Sequence, residues 1–191
     1  GSVYTNHSGM YWMDVPTGNI AVSMAPDPLW TPTTPTLHMA SVANTVVAVH
    51  TDFGFIADGN VPNLVPQITS GAMRCNEEVR YWVNVRNMGN RTCDIEVALD
   101  LDDLSTLGMT MPMATVQSGV AHWNFQNVQP SHQRSIELNV LLAGPSHLGE
   151  TLHDLLTVSA TLNGAVQGSF VNTYDPVLLC AYDPNDKQVM P

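Results

Sequence analysis

Lysine is almost missing from this chain: Lys187 is the only one among 191 residues, and five scattered arginines complete the basic set. Against 17 acidic residues they leave a formal net charge of −11. Nucleic-acid binding rests on clustered Lys and Arg that neutralise phosphates, so a nucleic-acid partner is excluded. Long apolar runs are missing as well. No segment approaches the ~20 residues that cross a bilayer as a helix, and no membrane insertion is expected. A capped apolar stripe of helical period is also lacking. The most helix-like run, 149–156, is short and passes straight into Thr157-Val158-Ser159-Ala160-Thr161. Zinc-type cysteine spacing is absent, and three cysteines (Cys75, Cys93 and Cys180) leave at least one thiol without an internal partner.

Reactive constellations are equally scarce. The seven histidines form neither His-x-His nor His-x-x-x-His. Ser131-His132, Ser146-His147 and His153-Asp154 are neighbours in sequence only, whereas a catalytic triad is an arrangement in space. Neither a phosphate-binding Gly loop nor a nucleophile elbow occurs. No catalytic residue is assigned, and the chain reads as non-enzymatic.

What is present builds strands. The sequence is 44% hydrophobic but only 12% charged, and its short apolar runs are separated by Gly, Pro and Asn. That punctuation predicts an all-β protein of antiparallel sandwich type. Residues 1–56 form a first block. In it Met10–Val15 and Asn19–Met24 flank Pro16-Thr17-Gly18 as a predicted hairpin, a Pro-rich loop surrounds Trp30, and a strand over Thr45–His50 leads to Asp52-Phe53-Gly54-Phe55. Three or four strands are thin for an independent sandwich.

Residues 57–182 form the second block. Asn63–Ile68 is a predicted edge strand, because Pro66 cannot donate to a ladder. Val79, Tyr81, Val83 and Val85 share one face of the next strand. After Asn87-Met88-Gly89-Asn90 a partner strand turns Cys93, Ile95, Val97, Leu99 and Leu101 inward, with Asp94, Glu96, Asp100 and Asp102 outward towards Arg80 and Arg86. Further strands are predicted over 120–125, 135–142, 155–162 and 167–174, the last two joined by a type I′ turn at Asn163-Gly164. Roughly seven strands suit an immunoglobulin-like sandwich. Gly1-Ser2 reads as the remnant of a removed tag, so the chain is expected to be a piece of a longer protein.

Two resemblances add to this. Gly9, Tyr11, Val15, Pro16, Gly18 and Val22, together with Asp52-Phe53-Gly54-Phe55, make the first block similar to the C-terminal part of a prealbumin-like module of the Cna-B or carboxypeptidase-regulatory kind. The second block resembles the immunoglobulin-like conserved repeat of very large secreted proteins of the Bacteroidota. The residues that carry this are Arg74-Cys75, Tyr81 through Val85-Arg86-Asn87-Met88-Gly89-Asn90, Trp123-Asn124-Phe125, Leu148-Gly149-Glu150-Thr151 and Cys180-Ala181-Tyr182-Asp183-Pro184-Asn185-Asp186-Lys187. The resemblance implies an immunoglobulin-like sandwich preceded by a partial prealbumin-like one, with residues 183–191 linking to a following module. It also implies an extracellular or cell-surface setting, as in adhesins and long fibres, and export by the type IX route.

In that light Cys75 and Cys180 match the family's paired positions and are expected to form a disulfide, which an oxidising extracellular setting permits. Cys93, in an inward row, is then a buried thiol; the competing reading bridges Cys93 to one of the others. Asp183, Asn185 and Asp186 supply two carboxylates and an amide carbonyl beside Pro184 and are a candidate Ca²⁺ set, completed by ligands from the next module. The same residue types more commonly make Asx turns where a strand leaves a sandwich. Asp100, Asp102 and Asp103 are a second calcium candidate, weighed against an ordinary solvated acidic face. Trp82, on the outward row, is a candidate platform for a sugar ring or a protein partner, against the alternative that a neighbouring module covers it. The leading functional expectation is a structural spacer of a large adhesin or surface fibre, partnered by adjacent modules or neighbouring subunits and open to strand complementation. The alternatives are a glycan- or protein-binding module and an accessory domain of a secreted hydrolase.

Overall fold

The computed structural model of the chain describes residues 1–6, 8–44, 49–59 and 61–180. Two compact units emerge, Gly1–Val61 with Gly89–Arg91, and Pro62–Met88 with Thr92–Pro191. Among the described residues, apart from one turn of 3₁₀ helix at Pro145–His147, the regular structure is antiparallel β-sheet.

In the first unit β1 (Gly18–Ser23) pairs with β3 (Leu37–Val42), and β2 (Trp30–Pro32) pairs with β4 (Phe55–Ala57). The predicted hairpin across Pro16-Thr17-Gly18 does not form: residues 10–15 are in no ladder, and β1 finds its partner in β3. Alternation in 10–15 marks a half-buried face but does not specify a neighbour. The face is used by Tyr11, whose hydroxyl donates to the Thr51 carbonyl and whose ring lies 6.4 Å from Phe53. The end of the unit is gathered by the Asn90 amide, which donates to the Leu29 and Asp58 carbonyls at 2.9 Å and accepts from the Val61 N–H at 3.1 Å. Among the described residues of this unit Ala40 is the only buried apolar side chain, so its core is thin. Most of the strand expected over 45–50 lies outside the described residues.

The second unit is a sandwich of two sheets. One has the order β5-β6-β11-β8 and the other β13-β12-β7-β10-β9. The first is made of β5 (Leu64–Ser70), β6 (Glu78–Asn87), β11 (Gln133–Leu142) and β8 (Ser105–Met111). The second is made of β13 (Ala165–Tyr174), β12 (Asp154–Leu162), β7 (Cys93–Asp100), β10 (Val120–Val128) and β9 (Thr115–Gln117). Read in chain order, β5, β6, β11 and β8 occupy the A, B, E and D places of an immunoglobulin sandwich, and β13, β12 and β7 the G, F and C places. The β9–β10 hairpin is an addition beside β7.

The core follows from period-2 alternation. Val79, Tyr81, Val83 and Val85 of β6 face Ile95, Val97 and Leu99 of β7 and Leu156, Val158 and Ala160 of β12 in one buried cluster. Each large aliphatic residue so buried contributes about 1.5–3 kcal/mol before conformational entropy is charged. Trp123 of β10 joins the cluster and satisfies its indole by donating Nε1–H to the Pro112 carbonyl at 2.9 Å.

The inward rows of β6 and β7 are those the alternation predicts, but these strands are not a hairpin. β6 pairs with β5 and β11, while β7 pairs with β10 and β12 in the opposite sheet. The physical reason is that both rows are apolar on the same side of the turn. Placing them in facing sheets buries each against the other, whereas pairing them edge to edge would leave the same face to be covered by something else. The outward carboxylates therefore do not meet Arg80 and Arg86 across a pair. Arg80 instead sits 3.0 Å from Glu137 on β11, and Asp94 accepts the Asn127 N–H at 2.8 Å at a bulge in β10.

At the β12–β13 turn Asn163 and Gly164 have φ of 52° and 78°, the left-handed pair that a type I′ turn needs. Gly164→Ala places a side chain in that region and should lower stability by about 1 kcal/mol. A denaturant titration with a reduced midpoint and an unchanged slope is the expected readout.

Candidate functional site

The β-ladders fix which ends of the sandwich the chain uses. Leu64, at the start of β5, is in register with Asn87, the last residue of β6. Arg74 forms an isolated parallel bridge with Leu179 just before β6 begins. The chain thus enters the sandwich at one end of β6 and leaves the described residues at the other, separated by a ten-residue strand that spans roughly 30 Å.

The exit end is closed by covalent and backbone bonds. Cys75 and Cys180 form a disulfide across a sequence separation of 105 residues, with their Cα atoms 4.7 Å apart. Leu179 N–H donates to the Met73 carbonyl at 2.7 Å, and the Cys75 N–H returns to the Leu179 carbonyl at 3.2 Å. On the other side Leu178 N–H donates to Glu150 at 2.8 Å and Gly149 N–H to Leu178 at 2.9 Å. Leu178 itself is fully buried. The segment 176–180 is therefore a plug sewn between the β5–β6 loop and the loop before β12. Cys93 lies at the start of β7, by the opposite end of the sandwich, as a buried free thiol. Burial first, and the nearby Asp94 second, push its pKa up, which disfavours the thiolate.

Beneath the plug lies a polar network that sequence reasoning missed. Asp154, the first residue of β12, is only 1% exposed. Its Oδ2 accepts the Tyr81 hydroxyl and its Oδ1 the Asp102 N–H, both at 3.0 Å. Asp102 in turn accepts Leu104 N–H on Oδ1 and His153 N–H on Oδ2, each at 2.9 Å. Tyr174 stands edge-on to Tyr81, with ring centroids 5.8 Å apart, and shares a 2.7 Å hydrogen bond with the Ser70 hydroxyl. At the exposed rim His153 Nδ1 is 2.8 Å from Asp175 Oδ1. One signal for this network exists in the sequence: a tyrosine in an inward row must place its hydroxyl on some buried acceptor. Which acceptor it finds depends on contacts 73 residues away.

Desolvation dominates the electrostatics. Burial raises the Asp154 carboxyl above the ordinary carboxylate range, and the hydrogen bonds from the Asp102 amide and the Tyr81 hydroxyl pull partly the other way. Burial, followed by the charge of Asp154, drives the Tyr81 phenol far up, so it stays a donor at any working pH.

The other expected site residues fall as follows. Asp102 does not join a solvated acidic face: it turns in to cap two backbone amides, and both its oxygens are occupied. Among the described residues no group of three His, Cys, Asp or Glu side chains is placed to hold a metal. Trp82 is on the outer face of β6, 40% exposed, between Thr69 and Glu137. Asp183, Asn185 and Asp186 lie outside the described residues. In the first unit an open hollow of about 500 Å³ is lined by Tyr4, Asn6, Met10, Tyr11 and Trp12 among others.

No protein-family model and no curated protein matches the chain. Solved structures do. The major pilin subunit of Bacillus cereus superimposes over 91% of this chain with a TM-score of 0.51 at 10% identity, and the chain spans 59% of that pilin's length. The collagen-binding subdomain of an Enterococcus faecalis surface protein matches 58% of this chain and 92% of its own, at TM-score 0.39 and 13% identity. An exo β-N-acetylglucosaminidase from Vibrio harveyi matches over 67% of this chain and 20% of its own, at TM-score 0.35 and 10% identity. The pilin alone of these is similar enough to bear on architecture, and it places the chain among immunoglobulin-like β-sandwich proteins.

Two outcomes follow from the closed end. Removing the bridge by Cys75→Ser with Cys180→Ser frees a loop closed over a sequence separation of 105 in the unfolded chain and should cost about 4–5 kcal/mol of stability, read by denaturation with and without reductant. Asp154 sets a pH dependence of defined sign. The folded protein holds this proton to a higher pH than the unfolded chain, whose carboxyl ionises near 4. Stability should therefore fall as pH rises from about 4 through the raised pKa of Asp154. Asp154→Asn removes the charge and keeps one acceptor oxygen, for the Asp102 amide, while its NH2 can donate to the Tyr81 hydroxyl oxygen, and it should flatten that slope. Asp154→Ala, which orphans the Asp102 amide and the Tyr81 hydroxyl, should instead cost about 1–3 kcal/mol. Identical pH slopes in wild type and Asp154→Asn would reject the assignment.

Proposed function

We propose that the chain is a non-enzymatic structural module of a large extracellular protein or surface fibre, in which the sandwich spaces and stiffens the path between neighbouring modules. The observation that carries this is the use of opposite ends of β6: the chain comes in beside Asn87 and goes out beside Cys75, at a point sealed by a disulfide. Two ends that face away from each other suit linear stringing. A structural disulfide suits an oxidising, extracellular setting. The architecture shared with a pilin subunit supports the same reading at the level of fold.

Within it, residues 1–56 act as the C-terminal part of a prealbumin-like module, 57–182 as an immunoglobulin-like repeat, and 183–191 as the link to the next module. Asp183, Asn185 and Asp186 offer that junction to Ca²⁺, with the remaining ligands from the following module. The first unit is the place for strand complementation. Its two ladders have two strands each and one buried apolar residue among those described, and such edges accept a further strand from an adjacent module or subunit. A second reading, a glycan- or protein-binding module, is favoured by one observation, the exposure of Trp82 on the open face of β6. Glycan-array binding lost in Trp82→Ala would establish it.

The spacer reading predicts that the whole protein, in its native cells, is labelled by membrane-impermeant reagents and shed by surface proteolysis. Retention of all copies inside the cell would overturn it. Complementation predicts concentration-dependent association in sedimentation velocity, and a strict monomer at high concentration would remove that part alone.

A further inference from the structure

The positions of the two bridged cysteines relative to the strand order have a mechanical meaning. A pull applied to the sandwich through its flanking chain acts at Pro62 and at Cys180. From Pro62 the covalent path runs along β5, through Gly71-Ala72-Met73-Arg74, to Cys75. There the disulfide carries it across to Cys180. Everything between, residues 76–179, hangs from this path as a closed loop and bears none of the pull through its backbone. That loop contains β6 to β13 and, apart from Leu64, Ile68 and Met73, the whole buried cluster.

We infer that the sandwich is a nearly inextensible tension link, with β5 and the Cys75–Cys180 bridge as its force-carrying tie. This deepens the spacer reading and rests on it, since a tie matters only in a chain under tension. The tie has little slack. β5 already spans the sandwich from the Asn87 register to the Tyr81 register as a strand. A strand rises about 3.3 Å per residue, and a fully stretched chain reaches at most about 3.6 Å. Tension can therefore straighten β5 by only about a tenth, and the remaining give comes from the short 71–74 connection. Peeling β5 from β6 would withdraw Leu64 and Ile68 from the core cluster but leave β6 to β13, with the rest of the cluster, inside the closed loop.

Without the bridge the same pull takes a different route. The plug is then held by the Leu179–Met73, Cys75–Leu179, Leu178–Glu150 and Gly149–Leu178 backbone bonds and by the burial of Leu178. Once these yield, β13 is drawn out, followed by the rest of the sandwich. The oxidation state of one bond thus decides whether the fold lies in the path of the force or beside it.

Single-molecule force spectroscopy on the full chain, flanked by marker domains of known extension, reads this directly. The oxidised protein should never release residues 76–179, even at forces that unfold the markers. Reduction of the same molecules in situ should add an unfolding event roughly 350–380 Å longer, the stretched length of the chain over the sequence separation of 105 between Cys75 and Cys180. Cys75→Ser with Cys180→Ser should show the long event without reductant, and Cys93→Ser should behave as wild type. Equal contour lengths before and after reduction would overturn the inference, as would a locked trace that depends on Cys93. Neither result bears on whether the protein reaches the cell surface, which labelling of intact cells decides separately.

Discussion

The structure depends on the meeting of two apolar rows across the sandwich. β6 presents Val79, Tyr81, Val83 and Val85, and β7 and β12 present Ile95, Val97, Leu99, Leu156, Val158 and Ala160. Because side chains alternate with period 2, each strand can hide only one row, and the two sheets are what remains once both rows are hidden against each other. The turn after β6 must therefore cross from one sheet to the other. The A-B-E-D and G-F-C strand orders then follow from which edges are still open. The β9–β10 hairpin extends one sheet beside β7, so that Trp123 can cover the flank of the core.

A core that meets so completely would slide without polar anchors, and the network under the plug supplies one. Tyr81 reaches from one sheet to Asp154 on the other, and Asp102 ties the β7–β8 loop to the same carboxylate. Buried hydrogen bonds of this kind add modest net energy but are costly to leave unmade, so they select one register over its neighbours. Burial disfavours the charged form of the Asp154 carboxyl and raises its pKa, and the amide and hydroxyl donors offset part of that rise.

Much of this was legible from residues alone, and the boundary of legibility has a physical shape. Alternation identifies faces, so the inward sets of β6 and β7 and the Asn163-Gly164 turn could be read directly. It does not identify partners, so the hairpins expected at Pro16-Thr17-Gly18 and between β6 and β7 are replaced by longer-range pairings. β8 escaped because Gly108 and Met109 oppose the single residue Asn139 across a bulge, which breaks the alternation of Ser105–Met111. The closed end was legible only by resemblance, since three cysteines allow three different single bridges. Asp154 was not legible at all, because its partners Tyr81 and Asp102 are 73 and 52 residues distant.

The separation of the cysteines also constrains the order in which the molecule is made. Cys93 is far nearer to Cys75 along the chain than Cys180 is, and in a disordered chain the shorter loop closes at the lower entropic cost. An oxidant acting on nascent or denatured chain would therefore favour the wrong pair. In the folded sandwich Cys93 is enclosed at the far end of β7, about a strand's length from Cys75, while Cys180 is delivered beside it by the plug. The native pairing therefore draws on the fold itself, because the bonds of Leu179 to Met73 and Cys75 hold Cys180 beside Cys75 while Cys93 is kept away from both.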